Sequence, residues 1–188
     1  MDPFEYFVVL QSLILGLGIA QLLTGAADVI SNAKNTKLGL AHTLFVLVVF
    51  LMHLQEWWYS YQYIFEIKEW TSPLIMFLLV YPILLFLLAR MLFPTGLRSH
   101  ENDLEKYYYD QWKPMFVVMF LIVLMSLLQN VFISGFDWSS QIPQYAMMIV
   151  LFGFLGLNVK TKLAHKILQV LIFLAWLLAG VLDPLIIK

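Results

Sequence analysis

The chain contains no cysteine and few charged residues, since Asp, Glu, Lys and Arg make up only 12% of its 188 residues. Without cysteine there is no disulfide, no thiolate metal site and no cysteine nucleophile. Soluble domains are typically about 25% charged, and half that content leaves too little polar surface to dissolve a protein of this size. The net charge of −1 gives no basic excess for binding phosphates, so we expect no nucleic-acid partner.

Sequence motifs for catalysis and cofactor binding are also missing. There is no Walker loop, no dinucleotide-binding glycine fingerprint, no Gly-x-Ser-x-Gly elbow and no His-Glu-x-x-His zinc motif. The four histidines are scattered along the chain and do not resemble a paired-haem arrangement. We therefore predict no catalytic residue, no cofactor and no metal, and an intramembrane enzyme is only the third of three functional hypotheses.

The sequence does contain six long apolar stretches, and most charged residues lie in the gaps between them. A helix of about 20 apolar residues crosses the hydrocarbon core of a bilayer. We predict a single membrane domain over residues 1–188, an all-α, polytopic membrane helix bundle with six transmembrane helices. These helices are predicted over residues 7–30, 38–64, 71–93, 114–134, 142–158 and 163–186. The first is interpreted as a retained helix, because Asp2 and Glu5 replace the positive flank of a secretory signal.

Lysine and arginine predict the orientation, because cytoplasmic loops of membrane proteins carry an excess of these residues. When alternate gaps are assigned to opposite sides, nine cations fall on one side and two on the other. Both termini are therefore predicted to lie outside, and the polar connection over residues 94–113 to be cytoplasmic. The outer cations are Lys68 and Lys188, and the inner ones are Lys34, Lys37, Arg90, Arg98, Lys106, Lys113, Lys160, Lys162 and Lys166.

Aromatic residues gather at the predicted outer helix ends, which is typical of a belt at the headgroup level. The group comprises Trp57, Trp58, Tyr59, Tyr61, Tyr63, Trp70 and Trp138. A substrate-stacking box is the alternative interpretation. Residues 99–113 mix charged and aromatic side chains, which suits a short surface helix, a solvated linker or a docking site for a cytoplasmic partner.

Helix two carries the most unusual polar residues. At about 100° per residue, His42, His53 and Glu56 fall on one face. A charged group near the middle of a bilayer costs roughly 2.5–3.5 kcal/mol and usually faces the bundle interior or a water-filled cavity. We therefore predict that this face points inward. The predicted polar intramembrane site comprises His53, Glu56, His42, Gln11, Gln129 and Asn130.

Three interpretations of this site stay open. His53 and Glu56 could form a structural pair hydrogen-bonded to amides, or they could line a proton or ion path. They could also be part of a metal site, although one His and one Glu are an incomplete ligand set.

Helices one and three carry packing signals. Small residues recur at every fourth position of helix one, at Ser12, Gly16, Ala20 and Thr24, and a second series recurs at every seventh, at Gln11, Gly18 and Gly25. Small residues let two helices approach closely, either inside one chain or between two protomers of a homo-oligomer. Pro82 predicts a kink in helix three, because proline removes a backbone hydrogen bond.

Three segments resemble a group of small bacterial multi-pass membrane proteins of unassigned function. They are Phe4-Glu5-Tyr6, the run from Leu15 to Gly25, and His53-Leu54-Gln55-Glu56-Trp57-Trp58. The resemblance covers mainly the first two helices. It implies a bacterial inner membrane and transfers no activity.

The function predicted first is that of an oligomeric, channel- or transporter-like protein in the lipid bilayer, with a polar path along helix two. The alternative is a non-catalytic membrane scaffold or sensor, for example a defence or stress accessory. It would engage a cytoplasmic protein partner through residues 99–113.

Overall fold

The computed structural model describes residues 2–95 and 102–182, and the described chain is almost entirely helical. Its α-helices are α1 (Pro3–Ser31), α2 (Leu40–Tyr59), α3 (Tyr63–Glu66), α4 (Ser72–Met91), α5 (Leu104–Phe132), α6 (Ile142–Gly156) and α7 (Lys162–Leu182). Two-residue strands, β1 (Thr36–Lys37) and β2 (Asn102–Asp103), pair in parallel. The all-α helix bundle predicted from the sequence is confirmed.

Four helical segments of the described chain are long and apolar enough to cross a membrane. They are Pro3–Ser31, Leu40–Glu66, Ser72–Met91 and Leu104–Phe132. The second combines α2 and α3, which are joined by a 3₁₀ turn at Ser60–Gln62. Helix α6 is apolar but has only 15 residues, about 22 Å at 1.5 Å per residue. The predicted end of the last helix, at residue 186, lies outside the described residues.

Local sequence explains where several helices begin and end. Asp2 and Glu5 form a reciprocal capping box at the start of α1, with Pro3 as the first helical residue. After α5, Gly135 has a φ of 69°, and after α6, Asn158 has a φ of 50°. Both belong to the residue types that adopt this left-handed conformation at helix ends most readily.

Helix α5 begins ten residues earlier than the predicted start at 114. Residues 104–113 are therefore helical and continuous with the apolar segment that follows them, and do not form a separate surface helix or linker. The reason is tertiary packing: Leu104, Tyr108, Trp112 and Met115 form a buried stripe at helical spacing. Pro114 is tolerated inside the helix because the carbonyl that it leaves free belongs to Asp110, an exposed residue.

Helix α2 lies at the centre of the bundle and contacts α1, α4, α5 and α7. Around it, α1 packs against α4, α4 against α5, and α5 against α6. The main core collects buried side chains from all these helices, and a smaller core around Phe7, Tyr63 and Leu78 closes the α3 end. The central position of α2 is what places its polar residues inside the protein.

One end of the bundle is held by charged side chains around Glu105. Lys162 and Lys166 approach its carboxylate at 3.5 and 3.7 Å, while Lys37 lies 3.1 Å from Asp103. Gly39 permits this close approach, since a Cβ there would lie 2.7 Å from the Glu105 Cβ. The α1–α2 connection and the starts of α5 and α7 therefore meet at the same end.

The ion pair of Lys37 and Asp103 is solvated, so its effect on stability is small. The backbone N–H of Lys106 and the Lys37 side chain lower the pKa of Asp103, and the Asp103 carboxylate raises the pKa of Lys37. A carboxyl whose pKa is lowered by folding stabilises the fold above its unfolded pKa. That contribution is lost as the pH falls through the folded pKa.

Helix α1 packs through its seven-residue series. Gln11, Gly18 and Gly25 are buried, and a Cβ on Gly18 or Gly25 would collide with the ring of His53 or Phe93 respectively. Of the four-residue series, Gly16, Ala20 and Thr24 are exposed and Ser12 is half-buried. Close packing inside the chain is therefore provided by Gly18 and Gly25, and not by the stripe from Ser12 to Thr24.

We expect Gly18→Ala to lower the unfolding midpoint of the purified protein in detergent, because the new methyl group displaces the His53 ring. Gly16→Ala is the matched control, because nothing lies within 4 Å of a Cβ at that position. Exchanging glycine for alanine in a helix without a clash is favourable by up to about 1 kcal/mol, so the control should unfold at the same or a higher temperature. Equal midpoints for the two variants would contradict this packing.

Candidate functional site

The face of α2 that was predicted to point inward is buried. His42, His53 and Glu56 are 2%, 0% and 8% exposed, and Val49 and Ser60 on the same face are also buried. Burial of these groups beside α1, α4 and α5 means that each needs a hydrogen-bond partner from the protein. The structure provides a different partner for each polar group.

Glu56 is paired with Gln11. The Gln11 Nε2 donates a 2.7 Å hydrogen bond to the Glu56 Oε1, which joins α1 to the last turn of α2. In the described part of the chain, Gln11 is the one hydrogen-bond partner of this carboxylate, and no Lys, Arg or His lies within 4 Å of it. The Gln11 Oε1 is buried without a donor among the described residues. Glu56 is thus held by a neutral group.

His53 does not pair with Glu56. Its Nδ1 lies 2.7 Å from the carbonyl oxygen of Val49, one turn back in the same helix. A carbonyl accepts, so Nδ1 carries the proton and Nε2 is the free acceptor. That Nε2 is buried against Gly18 and has no partner among the described residues. The ring fills the groove left by the glycine, which indicates a packing role.

His42 belongs to a different part of the bundle. Its Nε2 donates a 2.7 Å hydrogen bond to the carbonyl oxygen of Leu92, just after the end of α4. Its ring packs edge-on against the ring of Phe93, with 5.5 Å between the two ring centroids. His53 lies eleven positions further along the helix, a rise of about 16 Å. The two histidines therefore do not form one polar site with Glu56.

Gln129 supplies a hydrogen-bond donor that α4 lacks because of Pro82. Proline has no N–H, so the carbonyl four residues earlier, that of Leu78, loses its helical donor. The Gln129 Nε2 lies 3.3 Å from this carbonyl oxygen and 3.4 Å from that of Phe77. Such rescue of free carbonyls lets proline persist in membrane helices. Asn130 instead donates to the Gln141 Oε1 at 2.8 Å.

A cavity of about 860 Å³ lies between α2, α5, α6 and α7, with Tyr81 of α4 also on its wall. We call it the Glu56 cavity. Its polar lining residues are Gln55, Glu56, Tyr59, Tyr63, Tyr81, Ser126, Gln129, Asn130, Ser134 and Gln144. Glu56 is the one charged residue among the described residues that line it. His42, His53 and Gln11 are not part of the wall.

Sequence reasoning missed Tyr63 and Tyr81 as cavity residues. Tyr63 was assigned to the outer aromatic belt, but it is buried and its ring contacts Phe7. Tyr81 was given no role. Trp57 and Trp138, in contrast, are about half exposed, as residues of a belt would be. The position of both tyrosines facing Glu56 depends on helix packing, for which the sequence carries no signal.

A second buried polar network joins α5 to α7 and was also missed. The His165 Nε2 donates to the Val159 carbonyl oxygen at 2.9 Å, which leaves Nδ1 to accept from the Tyr108 hydroxyl at 3.1 Å. The Gln169 Nε2 donates to the same hydroxyl at 3.2 Å. The His165 ring is enclosed by five aromatic rings whose centroids lie 5.0–5.6 Å away, those of Tyr108, Tyr109, Trp112, Phe116 and Phe154.

The aromatic residues of the predicted docking segment, 99–113, contact the chain itself. Tyr107 donates to the carbonyl oxygen of Met91 at 2.9 Å, and Tyr109 to that of Lys162 at 3.3 Å. Tyr108 and Trp112 are buried. Residues 99–101 lie outside the described residues. The aromatic side chains of residues 104–113 are thus used to attach α5 to α4 and α7.

Metal ligands are not gathered at this site. Within residues 2–95 and 102–182, no group of three or more His, Asp or Glu side chains is arranged to hold a metal ion. The site that the structure presents is one carboxylate, hydrogen-bonded to a neutral amide, on the wall of an apolar and aromatic cavity.

We expect Gln129→Leu to destabilise the protein by about 1 kcal/mol, because it leaves the Leu78 carbonyl without a donor. In a Pro82→Ala background the restored N–H serves this carbonyl, so the same substitution should cost less. Asn130→Leu is the control, since its hydrogen bond to Gln141 does not involve α4 and its cost should be equal in both backgrounds. Unfolding in detergent followed by circular dichroism measures all six proteins. An identical cost of Gln129→Leu in both backgrounds would refute the coupling.

Comparisons of the chain with protein-family models, with curated proteins and with solved structures found no match.

Proposed function

We propose that this protein crosses the membrane six times, with both termini outside and the Glu105 end of the bundle in the cytoplasm. The cation distribution supports this orientation, because Lys37, Lys162 and Lys166 gather around Glu105 at one end. Helix α6 would cross a membrane only with thinning of the bilayer or with flanking residues reaching the interface. A bacterial inner membrane is part of the proposal.

The absence of native cysteine makes the topology directly measurable. A single cysteine at the exposed position Lys68 should react with a membrane-impermeant maleimide in intact cells. A cysteine at the exposed position Lys34 or Lys160 should react only after the membrane is opened. Reaction of Lys160→Cys in intact cells, with Lys34→Cys protected, would show that α6 and α7 do not cross as proposed.

We propose further that the protein is transporter-like and moves protons or cations through the Glu56 cavity. One observation carries this proposal: a buried carboxylate stands on the cavity wall without a cationic partner among the described residues. Ionisable groups inside membrane proteins are costly, and those on ion and proton pathways are the usual exceptions. The hydrogen bond between Gln11 and residue 56 does not by itself require a residue that can be charged at position 56.

A glutamine at position 56 would satisfy the fold equally well. It could accept the hydrogen bond of Gln11 with its amide oxygen and would avoid burying an ionisable group. What the carboxylate adds is the ability to lose a proton and to attract a cation. This argument also makes Glu56→Gln a nearly isosteric variant that should fold.

The proposed path differs from the one predicted from the sequence. It follows the face of α2 that includes Val48, Met52, Glu56 and Tyr59, together with the facing residues of α5 and α7. His53 and His42 lie away from the cavity, and each donates a hydrogen bond to a backbone carbonyl oxygen. The polar groups of the original helix-two stripe are therefore not a continuous relay.

Reconstituted liposomes with an internal pH dye and an imposed potassium diffusion potential test this function. Wild-type protein should carry protons in the direction of the potential, and Glu56→Gln should fall to the protein-free rate. Glu69→Gln is the matched control, because Glu69 is exposed in the α3–α4 connection and its variant should conduct like wild type. Equal rates for wild type and Glu56→Gln, or no flux in either, would exclude proton transport through the Glu56 cavity.

A further inference from the structure

The Glu56 cavity combines three features that together define a class of ligand. Its volume of about 860 Å³ lies within the range of roughly 300–1,000 Å³ usual for small-molecule sites. The one carboxyl group among its described lining residues, that of Glu56, can carry only a negative charge. Most of the remaining wall is apolar or aromatic, with Val48, Leu51, Met52, Met119, Ile122, Val123, Met147 and Ile172 among the aliphatic and thioether residues.

Aromatic rings add a second source of attraction for positive charge. Trp58, Tyr59, Tyr63, Tyr81 and Trp176 contribute to the wall that includes Glu56. The faces of such rings attract cations, and the effect is largest where the cation is desolvated. Quaternary ammonium groups are recognised in this way in general. A carboxylate and several rings in one apolar cavity therefore favour a cation with an apolar body.

We propose that the Glu56 cavity binds a hydrophobic organic monocation, with Glu56 as its counter-ion and the aromatic rings around its apolar body. This inference rests on the transport function proposed above and names its substrate class. When Glu56 is ionised, the bound cation provides its counter-ion, and their attraction is stronger in a low-dielectric setting than in water.

Other ligand classes fit the wall less well. A bare metal cation needs several oxygen ligands, and no cluster of three acidic or imidazole groups exists among the described residues. An anion would be repelled by Glu56. A neutral lipid tail would fill the apolar part of the cavity but would leave the carboxylate uncompensated.

The test compares two ions of the same shape and opposite charge, tetraphenylphosphonium and tetraphenylborate, with purified protein in detergent. We expect wild type and Glu69→Gln to bind the cation, and Glu56→Gln to bind it at least about tenfold more weakly, a difference of about 1.4 kcal/mol. Empty micelles measured in parallel correct for partition into detergent. Tetraphenylborate should bind no more tightly to wild type than to Glu56→Gln.

A second variant acts through shape and not through charge. Ser126 lies on the cavity wall in α5, so Ser126→Phe should narrow the cavity and weaken binding of the cation while Glu56 stays in place. Circular dichroism and size-exclusion profiles matching wild type show that each variant is folded. Ser126→Phe therefore tests the site even if Glu56→Gln fails to fold.

The outcomes separate this inference from the transport proposal, because binding in detergent needs no movement across a bilayer. Equal affinity of the cation for wild type, Glu56→Gln and Ser126→Phe would overturn the proposed site. Tighter binding of the borate than of the phosphonium ion would overturn it as well and would identify an apolar site without charge selection. Cation binding that depends on Glu56, together with no proton flux, would support the site and exclude proton transport.

Discussion

Polar groups packed between apolar helices need hydrogen-bond partners from the protein itself, and this constraint organises the interior of the molecule. His42 and His53 meet it by donating to the carbonyl oxygens of Leu92 and Val49. Gln129 does so by supplying a donor to the Leu78 carbonyl oxygen, which has no helical donor because Pro82 lacks an N–H. Each of these pairs joins helices or occupies a groove, so the polar side chains of the interior act chiefly as connections. Glu56 is the exception, because its amide partner leaves the charge of an ionised carboxylate uncompensated.

The placement of Glu56 follows from how the neighbouring helices pack. Helix α1 approaches α2 closely because Gly18 accommodates the His53 ring, and the same approach brings Gln11 to the carboxylate. On the opposite side, α5 and α7 leave room for a cavity that reaches Glu56. One hydrogen bond therefore positions the carboxylate from the α1 side while its other side borders the cavity. This geometry suits a group that must stay in place while its charge or its ligand changes.

The site could be predicted only in part, and particular residues show why. The period of α2 placed His42, His53 and Glu56 on one face, and the cost of a charge in hydrocarbon required that face to be inward. Whether His53 would form a hydrogen bond with Glu56 depended on the orientation of its ring, and the ring instead donates to the Val49 carbonyl oxygen. The start of α5 was misjudged because residues 104–113 have a linker-like composition. Their apolar members become a stripe only when α4 and α7 lie alongside, as the Tyr107 and Tyr109 hydrogen bonds show.

The sequence by itself determined that this chain folds as apolar helices and which edge of α2 is buried, since both follow from the free energy of moving charge and backbone out of water. It also determined where several helices begin, because capping by residues such as Asp2 is a local interaction. Only the tertiary structure decided that Gln11 donates a hydrogen bond to Glu56 and Gln129 to the Leu78 carbonyl oxygen. It also decided that Tyr63 and Tyr81 line the same cavity. These pairings join residues far apart in sequence. Their geometry is set by the packing of whole helices, and no local pattern encodes it.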